Sequence, residues 1–200
     1  VLAEVPSEIV EGVTVIDAVQ VSSRAIVDFL ERDIPVTWLS TTGKFFGRLQ
    51  STSAQDMSRV KEQFVRAEEA AFCLGLARLT VCRKIYNQRA ILRSYNRRAG
   101  NSLVQQTYDQ IRILADKLHT AKTVDEVMGY EGAVARLYFR ALSEFLPEEF
   151  CFEKRTRQPP TDPFNSMLSF GYTLLMYDFY SAIERTRPSP YIGSLHALKD

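Results

Sequence analysis

Glu131 stands between Gly129-Tyr130 and Gly132-Ala133, a carboxylate whose small neighbours leave room for a ligand or a backbone to come close. The spacing predicts that it opens a helix, where the positive end of the helix dipole favours a charged carboxylate able to bind a divalent cation. Ordinary helix-start electrostatics accounts for the same placement. Imidazole chemistry has two candidates, because His119 and His196 are the only histidines. His119 falls at the predicted end of a helix, where a cation is favoured, and reads as structural. His196 follows Ser194, a candidate N-cap, after the stiff Pro188-Ser189-Pro190 loop; on its own it reads as a surface or core histidine.

The other available chemistry is phosphate binding. Arg83, Lys84, Arg89, Arg93, Arg97 and Arg98 follow one another without an intervening acid. On a helix turning about 100° per residue, Arg83, Arg89, Arg93 and Arg97 fall within roughly a third of the circumference, a stripe that matches a row of phosphates. A solvated face paired with acids elsewhere would look the same. Lys154, Arg155 and Arg157 form a second basic group, where guanidinium groups on a loop could clamp phosphates. Glu148, Glu149 and Glu153 stand close enough in sequence to neutralise it.

The elements that must position these residues change character along the chain. Up to about Ser53 the pattern is β-rich. Val13-Thr14-Val15-Ile16 and Ile34-Pro35-Val36-Thr37-Trp38-Leu39 are strand-like runs, and Thr42-Gly43-Lys44 turns into Phe45-Phe46-Gly47-Arg48-Leu49. Ser22-Ser23 caps an amphipathic helix, Arg24 to Arg32, between the first two runs. From Asp56, read as an N-cap, a helical period carries Met57, Val60, Phe64, Ala67, Ala71 and Leu74 and continues to about Arg98, stopping near Gly100. Further helices are expected from Leu103 to His119, from a Thr123/Glu126 capping box to Gly129, from Glu131 to Leu146 before Pro147, and from Phe164 to Arg185 after a Pro-rich loop. The fold class is therefore α+β: a β-rich unit over 1–53 and an all-helical unit over 54–200.

Composition excludes more than it assigns. With 46% hydrophobic and 24% charged residues in 200, the chain can bury a sizeable core, and a formal charge of +1 argues against a tail that coats nucleic acid non-specifically. Cys73, Cys82 and Cys151 form no CxxC pair; they suit a reducing compartment and small buried roles better than a disulfide framework or zinc knuckle. With neither a membrane-length apolar run nor a signal-peptide layout, the sequence reads as intracellular and cytoplasmic. Val1 begins abruptly in β-like residues and Asp200 falls in what reads as a helix start, so both units are expected to be incomplete.

Four stretches in order carry a resemblance. Lys84-Ile85-Tyr86-Asn87-Gln88-Arg89 comes first, then Gly129-Tyr130-Glu131-Gly132-Ala133-Val134-Ala135-Arg136-Leu137-Tyr138-Phe139. Asp162-Pro163-Phe164-Asn165 with Ser169-Phe170-Gly171-Tyr172-Thr173-Leu174-Leu175 is third, and Ile192-Gly193-Ser194-Leu195-His196 last. Together they resemble CRISPR-associated protein one, the spacer-acquisition integrase and endonuclease family, over nearly the whole chain. The resemblance implies an N-terminal β domain, a helical catalytic domain, and a Mg²⁺ or Mn²⁺ ion held by a glutamate, a histidine and an aspartate, the first two matching Glu131 and His196. The aspartate is expected roughly a dozen residues beyond the histidine, past Asp200; Asp200 itself does not fit that spacing.

The implied reaction is transesterification: a 3′-hydroxyl of an incoming DNA fragment attacks a phosphodiester of the CRISPR array. Arg83, Arg89, Arg93, Arg97, Arg155 and Arg157 would then hold DNA backbone, with Asn165 and Tyr172 supporting the ligands. Double-stranded DNA, a second copy of the chain and a small ferredoxin-like CRISPR-associated protein are the implied partners. The alternative is a helical scaffold that binds DNA or protein without catalysis, which an aspartate at the expected distance past His196 would argue against.

Overall fold

Strand β2 (Val36–Leu39) is buried at Val36, Thr37 and Leu39, as a central strand of β-branched and apolar residues must be. The computed structural model describes residues 3–49, 51, 57–150, 152–157, 159–186 and 188–195. β2 lies between β1 (Val13–Ile16) and β3 (Phe45–Leu49) in a three-stranded sheet of order β1-β2-β3. β1 and β2 run parallel, Val13 opposite Val36 and Ile16 opposite Leu39. Parallel neighbours need a crossover, and α1 (Ser23–Glu31) supplies it, capped by the Ser22 hydroxyl accepting from the Ala25 N–H at 3.2 Å. β2 and β3 pair antiparallel, with an irregularity at Trp38/Leu39. Their turn has Gly43 at φ +81°, and the Ser40 hydroxyl accepts from the N–H of Thr42 and of Lys44.

The chain groups into two compact units, Val1–Val60 with Leu168–Pro190, and Lys61–Met167 with Tyr191–Asp200. From Leu168 onward, α6 (Pro163–Arg185) thus groups with the sheet, although the sequence places all of it in the helical part. The physical reason is aromatic and long-range: Phe45 stacks on Tyr177 with ring centroids 4.7 Å apart, and Arg48 lies over the Tyr180 ring.

In the other unit, α3 (Ala70–Ala99), α4 (Ser102–Leu118) and α5 (Val124–Ser143) pack around Val81, Ile85, Leu92, Ile111, Val127 and Val134. The long helix expected from Asp56 to Arg98 is two: α2 (Met57–Glu68) ends at Glu69, whose ψ of 103° is extended, before α3 begins. Arg66 holds the Glu69 carboxylate at 3.2 Å across this break, which no glycine or proline announces. Asp56 lies outside the described residues. Gly100 closes α3 in the left-handed conformation at φ +63°, and the Asn101 side chain caps α4 through the N–H of Leu103 and Val104.

The two helices expected around Gly129 are one, α5, capped by Thr123 accepting from the Glu126 N–H at 3.2 Å. A single glycine in a helix interior costs only about 1 kcal/mol, which the buried Val127, Val134 and Ala141 outweigh. Pro163 occupies the first position of α6, and Asp162 Oδ1 accepts from the Asn165 N–H at 2.8 Å. The result is an α+β chain, a small sheet near the N-terminus followed by a helical region. No helix among the described residues is long and apolar enough to cross a membrane.

Candidate functional site

Because α5 is continuous, Glu131 sits in its second turn and not at its start, so the helix-dipole argument for its charge fails. A different group faces the carboxylate. Lys84 on α3 donates from Nζ to Glu131 Oε1, and the pair joins positions 47 apart in sequence. The packing of α3 on α5 sets this up, since Ile85 beside Lys84 and Val134 one turn after Glu131 are both in the core. The Glu131 side chain is 21% exposed and that of Lys84 43%, so the pair lies at the rim of the buried interface. A Cβ built on Gly129 or Gly132 meets nothing within 4 Å, so α5 has room for side chains at both positions.

His196 lies outside the described residues, as does Asp200. The segment leading to His196 belongs to the helical unit: Gln63 Nε2 donates to the Ile192 carbonyl at 3.0 Å, and Leu195 packs against the helical core. Among the described residues no three His, Cys, Asp or Glu side chains gather as a metal-binding set.

The basic stripe is largely brought together. Arg89, Arg93 and Arg97 line a concavity on α3 and α4 with Tyr86 and Tyr108, continued by Asn96 and Gln105. Arg89 donates to the Tyr108 hydroxyl at 3.0 Å and lies over that ring, 4.6 Å from its centroid. Arg93 and Arg97 are exposed, and no ion pair engages them among the described residues. Arg83 is on the same helix over the Tyr86 ring, but is not among the residues lining the concavity.

The second basic group has an internal role. Arg155 Nη1 donates to Asn165 Oδ1 at 2.9 Å and to the Thr156 carbonyl. Asn165, with no exposed surface, also accepts from the Thr156 N–H at 3.0 Å and donates to the Lys154 carbonyl at 2.8 Å and to Asp162. Its amide thus ties the loop after residue 152 to the start of α6. Arg157 is exposed. Tyr172 is half exposed and lies on the stretch of α6 that groups with the sheet.

His119 is the C-terminal cap residue of α4, as its structural reading requires. Cys73 is buried and Cys82 partly so, and burial pushes the Cys82 thiol up; Cys151 lies outside the described residues. Two residues outside the site predicted from sequence enter it: Lys84, read as part of the basic run, as the partner of Glu131, and Tyr108 as the partner of Arg89. Lys84 stands in the first of the four motifs; Tyr108 carries no signal of its own.

Comparison with known proteins follows the same lines. The family profile for CRISPR associated protein Cas1 matches residues 1–200. The CRISPR-associated endonuclease Cas1 of Mycobacterium tuberculosis strain H37Rv is 34% identical over 197 residues, 97% of this chain and 56% of that protein. The chain therefore spans about half the length of the curated relatives it matches first. A structure of a Cas1 protein from Thermotoga maritima has a TM-score of 0.78 at 26% identity, covering 96% of this chain and 60% of that one. A Cas6-RT-Cas1–Cas2 complex contains a chain with a TM-score of 0.79 at 31% identity, covering 95% of this chain and 21% of that one.

Proposed function

Because this chain belongs to the CRISPR-associated protein Cas1 family, we propose that the complete protein is a divalent-metal-dependent DNA endonuclease and integrase that inserts new spacer DNA into CRISPR arrays. The observation that carries this reading is Glu131, the glutamate of the second motif, held part-exposed at the rim of the α3–α5 interface with a cation, Lys84, as its partner. The curated relatives named as endonucleases, about a third identical over nearly the whole chain, support it.

The donor chemistry fits a hard cation. A part-exposed carboxylate oxygen, joined by an imidazole, suits Mg²⁺ or Mn²⁺. Glu131 and His196 would hold the ion, with an aspartate beyond Asp200 as third ligand. When bound, such an ion neutralises charge on the attacked phosphate and on the departing oxygen.

This chain's own residues have the remaining tasks. Arg89, Arg93 and Arg97 hold successive phosphates in the concavity between α3 and α4, and Arg83 extends the row. Asn165 fixes the loop that carries Arg155 and Arg157, so that those guanidinium groups meet DNA from a preset position. In the reaction a DNA 3′-hydroxyl attacks phosphorus, one phosphodiester forms as another breaks, and the proton lost by the attacking hydroxyl is matched by one gained at the released 3′-oxygen. Bond type is conserved, so no external energy source is required.

The likeness to a chain of a Cas6-RT-Cas1–Cas2 complex supports a CRISPR-associated protein partner; the family reading further implies a homodimer, a small ferredoxin-like partner and a cytoplasmic location. The test uses the complete protein. Glu131→Ala is expected to abolish Mg²⁺- or Mn²⁺-dependent strand transfer of short duplexes and to leave DNA affinity largely intact, because affinity comes mainly from phosphate contacts. Wild-type integration that persists in excess chelator, or a Glu131→Ala variant as active as wild type, would overturn the enzyme and favour a DNA-binding scaffold.

A further inference from the structure

Lys84 has one charged partner among the described residues, and that partner is Glu131. Both residues are placed by helix packing: α3 presents Lys84 next to the buried Ile85, and α5 presents Glu131 between the buried Val127 and Val134. A carboxylate only 21% exposed, in the interior of a helix and far from any helix N-terminus, gains from a compensating cation. An ammonium on a flexible four-carbon stem can supply that charge and can also leave, since its own side chain is 43% exposed and water is at hand. The Glu131 carboxylate is itself in part exposed, at the rim of the α3–α5 interface, so a second cation can reach it from solvent.

We propose that Lys84 is a placeholder cation: it neutralises Glu131 while no metal is bound, yields that carboxylate when a divalent ion arrives, and so sets the metal concentration at which the site fills. The inference rests on the reading of Glu131 as a metal ligand. Lys84 is in this sense a positioning residue, acting through Glu131. Two cations compete for one carboxylate, so removing the resident one should favour the other, and strengthening its grip should do the reverse.

The experiment is a Mn²⁺ titration of the complete, metal-stripped protein, followed by the loss of the electron paramagnetic resonance signal of free Mn²⁺. Lys84→Met, which keeps the stem and removes the charge, is expected to lower half-saturation several-fold. Lys84→Arg, whose planar fork can grip a carboxylate through two parallel N–H bonds, is expected to raise it. A merely structural Lys84 would give weaker binding with either substitution. Thermal melting supplies a second readout: Lys84→Met should melt lower than wild type without metal, and the gap should narrow at saturating Mn²⁺. Glu131→Gln should weaken Mn²⁺ binding and erase the difference that Lys84→Met makes. Unchanged or weaker Mn²⁺ binding by Lys84→Met, with Glu131→Gln still impaired, overturns the placeholder and leaves the metal site standing. Wild-type Mn²⁺ binding by Glu131→Gln overturns the ligand assignment itself, and the placeholder with it.

Discussion

The amide oxygen of Asn165 accepts the Arg155 guanidinium at 2.9 Å, and this pair, with Asn165 fully buried, fastens the loop ahead of α6. Asn165→Ala would remove the acceptor of the Thr156 N–H, the donor to the Lys154 carbonyl and one acceptor of Arg155. The expected loss is about 2–4 kcal/mol, since each buried partner left unsatisfied costs about 1–3. Calorimetry should register it as a drop of several degrees in the melting temperature.

The same pair separates the two arginines of the second basic group. Arg155→Ala should lower stability and DNA affinity together, because its guanidinium is built into the loop. Arg157→Ala, on an exposed side chain, should lower affinity with the melting temperature unchanged. Parallel melting and fluorescence-anisotropy titrations distinguish the two, and a stable Arg155→Ala would count against the built-in role.

On α3, Arg93 and Arg97 are exposed while Arg89 is engaged by Tyr108. Replacing Arg93 and Arg97 together with alanine should weaken binding to duplexes of any sequence and reduce the slope of log K against log salt by about two, near 0.9 per phosphate contact. Arg89→Ala should remove less affinity than Arg93→Ala, because part of its hydrogen-bonding capacity is already spent on the tyrosine. Adding alanine at Arg89 to the double variant should weaken binding further without restoring sequence preference.

Gly129 and Gly132 lie inside α5 with open space where a Cβ would go. Alanine at either position should therefore stabilise the fold by about 0.5–1 kcal/mol, the usual gain in a helix interior. Gly132→Leu should fold but slow strand transfer, because its side chain would occupy the surface next to Glu131. Such opposite effects on melting and activity are what a helix weakened for access predicts; a Gly132→Leu variant at full activity would refute the access role.

Two other glycines should behave in the opposite way. Gly43 has φ +81° and a built Cβ would stand 3.1 Å from Phe170, whereas Gly100 has φ +63° in open space. Alanine at Gly100 should cost about 1–2 kcal/mol for the left-handed backbone alone. Gly43→Ala should cost more, because strain and a tight contact add, and denaturant midpoints of the two variants would rank them.

Helix ends were legible in the sequence because each is a local bargain between neighbouring groups. Ser22, Thr123 and Gly100 sit at their helix ends within a residue or two of where capping logic puts them, and every bond involved spans at most four positions. The strands and their turn were legible for the same reason, through β-branched runs broken at Gly43. The family, too, could be read from four ordered motifs. What the chain alone could not decide was anything settled between distant segments. A glycine reads as a stop, yet α5 runs through Gly129 because core packing on both sides exceeds the local penalty; nothing in Glu69 announces a stop, yet the helix breaks there. Lys84 opposite Glu131, Tyr108 beneath Arg89, and Asn165 holding Arg155 each depend on where helices and loops come to rest against one another. Side-chain type fixes which bonds a residue can make, but only tertiary packing brings the partner within reach.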